Sequence, residues 1–115
     1  MENKHLAQHI SFKRAQSMGP PPEGNLAVPI LSHGSMDAEL YSPIVSDQQK
    51  PHDRDEIYVV AQGEGEFFNG ESVINVIPGS FIFVPAGTQH CFQNFTSGFS
   101  VWVILYGPKG GESNV

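Results

Sequence analysis

Two histidines of this chain have neighbours that suit metal chemistry. In Pro51-His-Asp-Arg-Asp-Glu-Ile57, His52 and Glu56 lie four residues apart, where the apolar run EIYVVAQ begins. Residues of equal parity share one face of an extended chain, so His52 and Glu56 point the same way unless a bulge intervenes. Tyr58 and Val60 continue that face. A carboxylate beside a neutral imidazole is a ligand pair for Mn, Fe, Ni or Zn. His90 follows the turn Pro85-Ala-Gly87 at the start of a later apolar segment, and a closed barrel would bring it to the other two. A second reading stands equally open: a solvated pair at a strand edge, beside Asp53 and Asp55, which are solvent-type residues.

The remaining candidates point to bland roles. His33 precedes a glycine in a turn and reads as surface; His5 and His9 have no chemical neighbours. Cys91 alternates with His90, so it faces away and packs. Gly63-Glu-Gly65 is not followed by a helical pattern, which makes it a hairpin turn rather than a phosphate loop. Neither a Gly-x-Ser-x-Gly elbow nor a Cys–His pair with an orienting acid occurs. Lys50 and Arg54 flank His52 and either attract an anionic substrate or neutralise the neighbouring acids.

The elements that must position these groups are strands. From Leu26 onward, short apolar stretches alternate with turn residues: Leu26–Leu31, Met36–Tyr41, Glu56–Gln62, Glu66–Asn69, Ser72–Ile77, Ser80–Val84, His90–Asn94 and Phe99–Tyr106. Asn69-Gly70 is a strong hairpin dipeptide. No helical apolar stripe appears, so the fold class is all-β, a sandwich or barrel. The first 25 residues differ, with Met18-Gly-Pro-Pro-Pro-Glu-Gly24 stopping any regular element, and read as an arm or loop. The aromatic residues Phe81, Phe83, Phe92, Phe99, Trp102 and Tyr106 are expected mostly in the core. Val101-Trp-Val-Ile-Leu105 is apolar on both faces and needs cover on both, from the arm or from a second copy.

Composition limits the partners. The chain has 115 residues, 12 acidic against 6 basic, and a net charge of −6. That length suits one domain. Its acidity disfavours nucleic acid, and no basic amphipathic stretch suggests a membrane surface. A single cysteine fits a reducing compartment, and MENKHLAQHISFKRAQ has no apolar signal-peptide core, so the cytoplasm is expected.

The stretch Gly79-Ser-Phe-Ile-Phe-Val-Pro85-Ala-Gly87-Thr-Gln-His90-Cys-Phe-Gln-Asn94 resembles the second motif of the cupin family, G-x5-P-x-G-x2-H-x3-N, at every fixed position. His52-x3-Glu56-x6-Gly63 is similar to the second half of the family's first motif, G-x5-H-x-H-x3-4-E-x6-G. Two positions depart from it: Ile44 stands where the family has glycine, and Lys50 where it has its first histidine. A protonated lysine has no lone pair to give a metal.

The resemblance implies a double-stranded antiparallel β-helix, or jelly-roll barrel, over 26–110, with an arm at 1–25 and a tail at 111–115. It implies one divalent transition metal per chain (Fe, Mn, Ni or Zn) held by His52, Glu56 and His90. Two histidines and a carboxylate resemble the facial triad of non-haem iron oxygenases. Tyr58 and Gln48 would then orient substrate, Gln48 sharing parity with His52. The implied function is a metal-dependent enzyme of oxygenase or isomerase type acting on a small organic molecule, as a homodimer. The alternatives are a non-catalytic small-molecule or metal-binding module, used as sensor or store, and a structural domain that keeps only the motif's turns.

Overall fold

The computed structural model describes residues 6–113; residues 1–5, including His5, and the last two residues of the expected tail lie outside it. One short helix, α1 (Phe12–Ser17), precedes eight strands: β1 (Val28–His33), β2 (Met36–Tyr41), β3 (Asp55–Gln62), β4 (Gly65–Phe68), β5 (Val73–Val76), β6 (Phe81–Val84), β7 (Cys91–Gln93) and β8 (Ser100–Tyr106). The helix begins where the Ser11 side chain accepts from the Arg14 amide at 3.1 Å, satisfying one of the amides that a first turn leaves without a partner.

All strand pairs are antiparallel and form two sheets, ordered β1-β2-β8-β3-β6 and β5-β4-β7. This is the all-β double-stranded helix that the turn spacing and the motif resemblance imply. The larger sheet pairs Tyr58 with Val103 and Val60 with Val101, while Tyr41 faces Val101 from the other side. That parity points inward and meets Phe67, Phe92 and Val76 of the smaller sheet in a single core. Tyr58, Phe92 and Phe99 are fully buried there, with ring centroids 5.0 Å apart for Tyr58–Phe92 and 5.2 Å for Phe92–Phe99 in edge-to-face contacts.

Three expectations need correction. Gly63-Glu-Gly65 is not a hairpin turn: β3 and β4 belong to different sheets, and the chain changes sheets at this corner. Gly63 has φ +83°, and a Cβ there would stand 2.8 Å from Thr96 Oγ1 and 2.9 Å from Phe99 Cα, so only glycine fits. The β6 aromatics are not core. Ile82 and Val84 take the inward parity, which leaves Phe81 68% and Phe83 51% exposed. On β8, Val101, Val103 and Leu105 are buried, whereas Trp102, Ile104 and Tyr106 are only half-covered. The N-terminal arm supplies part of that outer cover, since a Cβ on Gly19 would lie 3.2 Å from Val28 Cγ2, and Val28 pairs with the buried Leu40.

Candidate metal centre

The residues between β2 and β3 form no strand. Their shape is set by Asp47, whose carboxylate takes four donors: Tyr41 Oη at 2.7 Å, the Gln49 amide at 3.0 Å, Gln49 Nε2 at 3.1 Å and the Phe92 amide at 2.8 Å. The last of these fastens the loop to β7, immediately after His90. A second tie joins the two motif segments directly, for the Gly87 amide donates to the His52 carbonyl at 2.7 Å. Asp55, expected in solvent, is 5% exposed; it accepts from the Ala86 amide at 3.0 Å and the Glu112 amide at 2.8 Å. It therefore holds the turn that leads to His90.

These ties bring His52, Glu56 and His90 together. Glu56 sits on the inward face of β3 and is fully buried. His52 Nε2 lies 3.3 Å from Glu56 Oε2, and His90 Nε2 lies 3.2 Å from Glu56 Oε1. Among the described residues neither carboxylate oxygen has a well-formed hydrogen bond, and besides the two imidazoles the Tyr58 hydroxyl is the donor that interacts with the carboxylate. A buried carboxylate is costly, and either a bound cation or a proton shared with a neighbouring imidazole offsets that cost.

The His90 tautomer is fixed by its surroundings. Nδ1 faces the Thr88 carbonyl at 2.8 Å, an acceptor only, so Nδ1 carries hydrogen. In neutral His90 the lone pair is then on Nε2, aimed at the carboxylate. Burial works against charging this imidazole, but Glu56 and the Thr88 carbonyl outweigh it and raise its pKa above the ordinary value. Tyr58 completes the cluster: its hydroxyl donates to Gln49 Oε1 at 2.8 Å and stands 2.9 Å from His90 Nε2. Burial first, then the Glu56 charge, pushes the phenol's pKa far up, so Tyr58 is a hydrogen-bond donor and not a phenolate.

Two donors that each stand about 2.0–2.1 Å from one ion are separated by roughly 2.8–3.4 Å, from octahedral to tetrahedral angles. The 3.2 and 3.3 Å separations fall within that range. The His52 and His90 ring centroids are 6.3 Å apart, and among the described residues no group of three such donors is placed to hold one ion. The donor types and the buried carboxylate suit a divalent transition metal, while the two short separations run to different oxygens of Glu56 and the three groups do not converge as they stand.

Gln48 does not reach the cluster. It is exposed and hydrogen-bonded to Ser46, while its neighbour Gln49 makes the contacts to Tyr58 and, at 3.5 Å, to His52 Nε2. The parity argument for Gln48 presumed a strand, and this segment is a loop. Gln48 instead lines a cleft of about 440 Å³, together with Gln49, Lys50, His52, Glu39 and Tyr41. Arg54 is occupied elsewhere, bonded to Asp37 at 3.0 Å and to the Ser35 carbonyl at 2.8 Å. Asp47 and Gln49, which the sequence reading missed, carry no signal beyond polar loop composition.

A small double-stranded β-helix with a His–Glu–His cluster behind a polar cleft defines the class of protein. The family model described as the cupin domain matches residues 41–106, and the chain belongs to that family. It is 36% identical over 64 residues to an uncharacterised protein of Streptomyces coelicolor, a match that spans 56% of this chain and only 61% of that relative. A cupin-2 domain protein of Shewanella frigidimarina superposes with a TM-score of 0.66 at 17% identity, over 85% of this chain and 94% of that one. The DMSP lyase DddQ of Ruegeria pomeroyi superposes with a TM-score of 0.56 at 28% identity, over 64% of this chain but 39% of the lyase. Among the described residues no helix is long and apolar enough to cross a membrane.

Proposed function

We propose that this chain is a metal-dependent cupin enzyme acting on a small organic molecule, with His52, Glu56 and His90 holding one Fe, Mn, Ni or Zn ion. The observation that carries this reading is the fully buried Glu56 carboxylate, which faces two imidazole nitrogens and has no well-formed hydrogen bond among the described residues. A bound divalent ion would supply Lewis acidity toward a substrate oxygen or, as iron, activation of dioxygen.

The chain's own groups do the rest. Thr88 holds His90 in the tautomer whose Nε2 is free to ligate. Tyr58, kept protonated, donates to Gln49 and holds its hydroxyl oxygen beside that nitrogen. The cleft lined by Gln48, Lys50 and His52 admits the substrate. Oxygenation and isomerisation are the favoured reactions. Elimination joins them because one structural neighbour is a lyase. A non-catalytic binding module is the second reading, favoured by Lys50 at the position where the family places a histidine. The unpaired Cys91 supports a cytoplasmic setting, and the exposed Phe81 and Phe83 support a homodimer.

Elemental analysis of protein purified without chelator tests the proposal. Close to one transition-metal ion per chain, lost in His90→Ala, supports it; no metal as isolated and none after reconstitution ends it. Turnover assays on metal-loaded protein, by oxygen uptake and product analysis, then separate the enzyme from the binding module.

A further inference from the structure

Glu39 sits on β2 with the inward parity, opposite Val103 and between buried Tyr41 and the partly exposed Asp37. It lines the cleft beside His52 and Tyr41 and is half-buried. It makes no hydrogen bond and no ion pair with any described residue. Burial, with Asp37 and Glu56 nearby, raises its pKa, and only His52 and Arg54 pull the other way. A half-buried carboxylate whose side chain has no partner among the described residues is open to a cationic ligand entering the cleft. Lys50 lines the same cleft and likewise forms no ion pair among the described residues. The cleft thus presents one carboxylate and one ammonium without an ion-pair partner among the described residues, and Asn25, Gln48 and Gln49 also line it.

We infer that the cleft binds a small zwitterion, an amino-substituted carboxylic acid whose ammonium group meets Glu39 and whose carboxylate meets Lys50. Glu39 is then the residue that selects for the positive group. This deepens the proposed function and rests on the cleft being its substrate site.

Binding of an ω-amino acid series, from glycine to 6-aminohexanoate, tests it by calorimetry on folded, metal-loaded and chelator-treated protein. Each member is compared with the matching simple acid and simple amine. At least one zwitterion should bind about tenfold more tightly than both matches, the scale of one hydrogen bond to a charged group. Glu39→Gln should abolish the preference over the simple acid, and Lys50→Gln the preference over the simple amine. Three results overturn the inference: no tenfold preference anywhere in the series, a preference that survives Glu39→Gln, or loss of metal in Glu39→Gln, which would make Glu39 a ligand instead. Metal content measured on the same samples keeps the two readings apart. Bound metal without charge preference sinks only the zwitterion, and charge preference without metal sinks only the metal enzyme.

Discussion

The Gly87 amide and the His52 carbonyl, 2.7 Å apart, join the two segments that carry the imidazoles by backbone alone. The bond depends on Gly87 holding φ +77°, a left-handed conformation that side chains disfavour. No atom stands within 4 Å of where its Cβ would be, so the effect of a substitution there is conformational and not steric. Gly87→Ala is expected to cost about 1–2 kcal/mol in denaturant unfolding. It should also weaken metal uptake. Unfolding unchanged within about 0.5 kcal/mol would show that the turn tolerates the methyl group.

Asp47 is the larger structural dependence. Asp47→Ala leaves the Phe92 amide, the Tyr41 hydroxyl and the Gln49 amide groups without their acceptor. The expected loss is roughly 2–4 kcal/mol, since hydrogen bonds to a charged acceptor are worth about 1.5–3 kcal/mol each and do not add fully. Exposed Asp53, whose side chain has no such partners, serves as the control, and Asp53→Ala should stay within about 0.5 kcal/mol. Equal effects of the two substitutions would remove Asp47 from its organising role.

These residues show where the sequence could be read and where it could not. Glu56, Tyr58 and Val60 share a face because β3 runs without a shift until Val60, so period two holds there. Gln48 lies in a segment with no strand, and parity carries no meaning in it. Asp55 looks like a solvent residue in one dimension; its burial comes from amides contributed 31 and 57 positions away. Gly63-Glu-Gly65 has the composition of a hairpin, and the same glycines serve a corner between sheets. Phe81-Ile-Phe-Val84 is apolar on both faces, so its hydropathy does not say which side faces in.

Acid sensitivity has one assignable part. The Ser32 hydroxyl and Arg54 hold the Asp37 carboxyl below the usual carboxylate range. A group with a depressed folded pKa stabilises the fold above its unfolded value, about pH 3.9, and that contribution is lost as pH falls through the lower folded value. Asp37 is 39% exposed, so solvent screening limits the contribution to a few tenths of a kcal/mol up to about 1 kcal/mol. Asp37→Asn should therefore be less stable than the natural chain by that amount at neutral pH and indistinguishable from it in strong acid. A difference that grows as pH drops would contradict the assignment.

Phe81 and Phe83 project outward from β6, at the edge of the larger sheet, and Val73, Ile74 and Ile77 are exposed on and beside β5 at the edge of the smaller one. Apolar residues along open edges favour association with another chain. Light scattering after size exclusion is expected to give twice the 12.6 kDa chain mass at micromolar protein. Phe81→Asp with Phe83→Asp should return the monomer. A monomer in the natural chain, or a dimer indifferent to both changes, would place the contact elsewhere or nowhere.

Metal removal should act on stability as well as on chemistry, because the ion would neutralise a fully buried carboxylate that has no well-formed hydrogen bond among the described residues. Any ligand that binds only the folded chain stabilises it in proportion to the logarithm of its saturation, about 2.7 kcal/mol at one hundred times its Kd. For a domain near 100 residues this corresponds to roughly 10 °C or more in Tm. Chelator-treated protein should therefore melt that much lower than protein reconstituted with Fe, Mn, Ni or Zn. Glu56→Gln removes the charge while keeping the shape, and His90→Ala removes the nitrogen whose tautomer Thr88 sets. In both variants the two melting curves should coincide. Adventitious surface binding predicts the opposite pattern, with a metal-dependent rise surviving both substitutions. A natural chain whose Tm ignores chelator and added metal alike would leave Glu56 to be neutralised by a proton shared with His90, and the cluster would then be a buried polar network with no ion to serve.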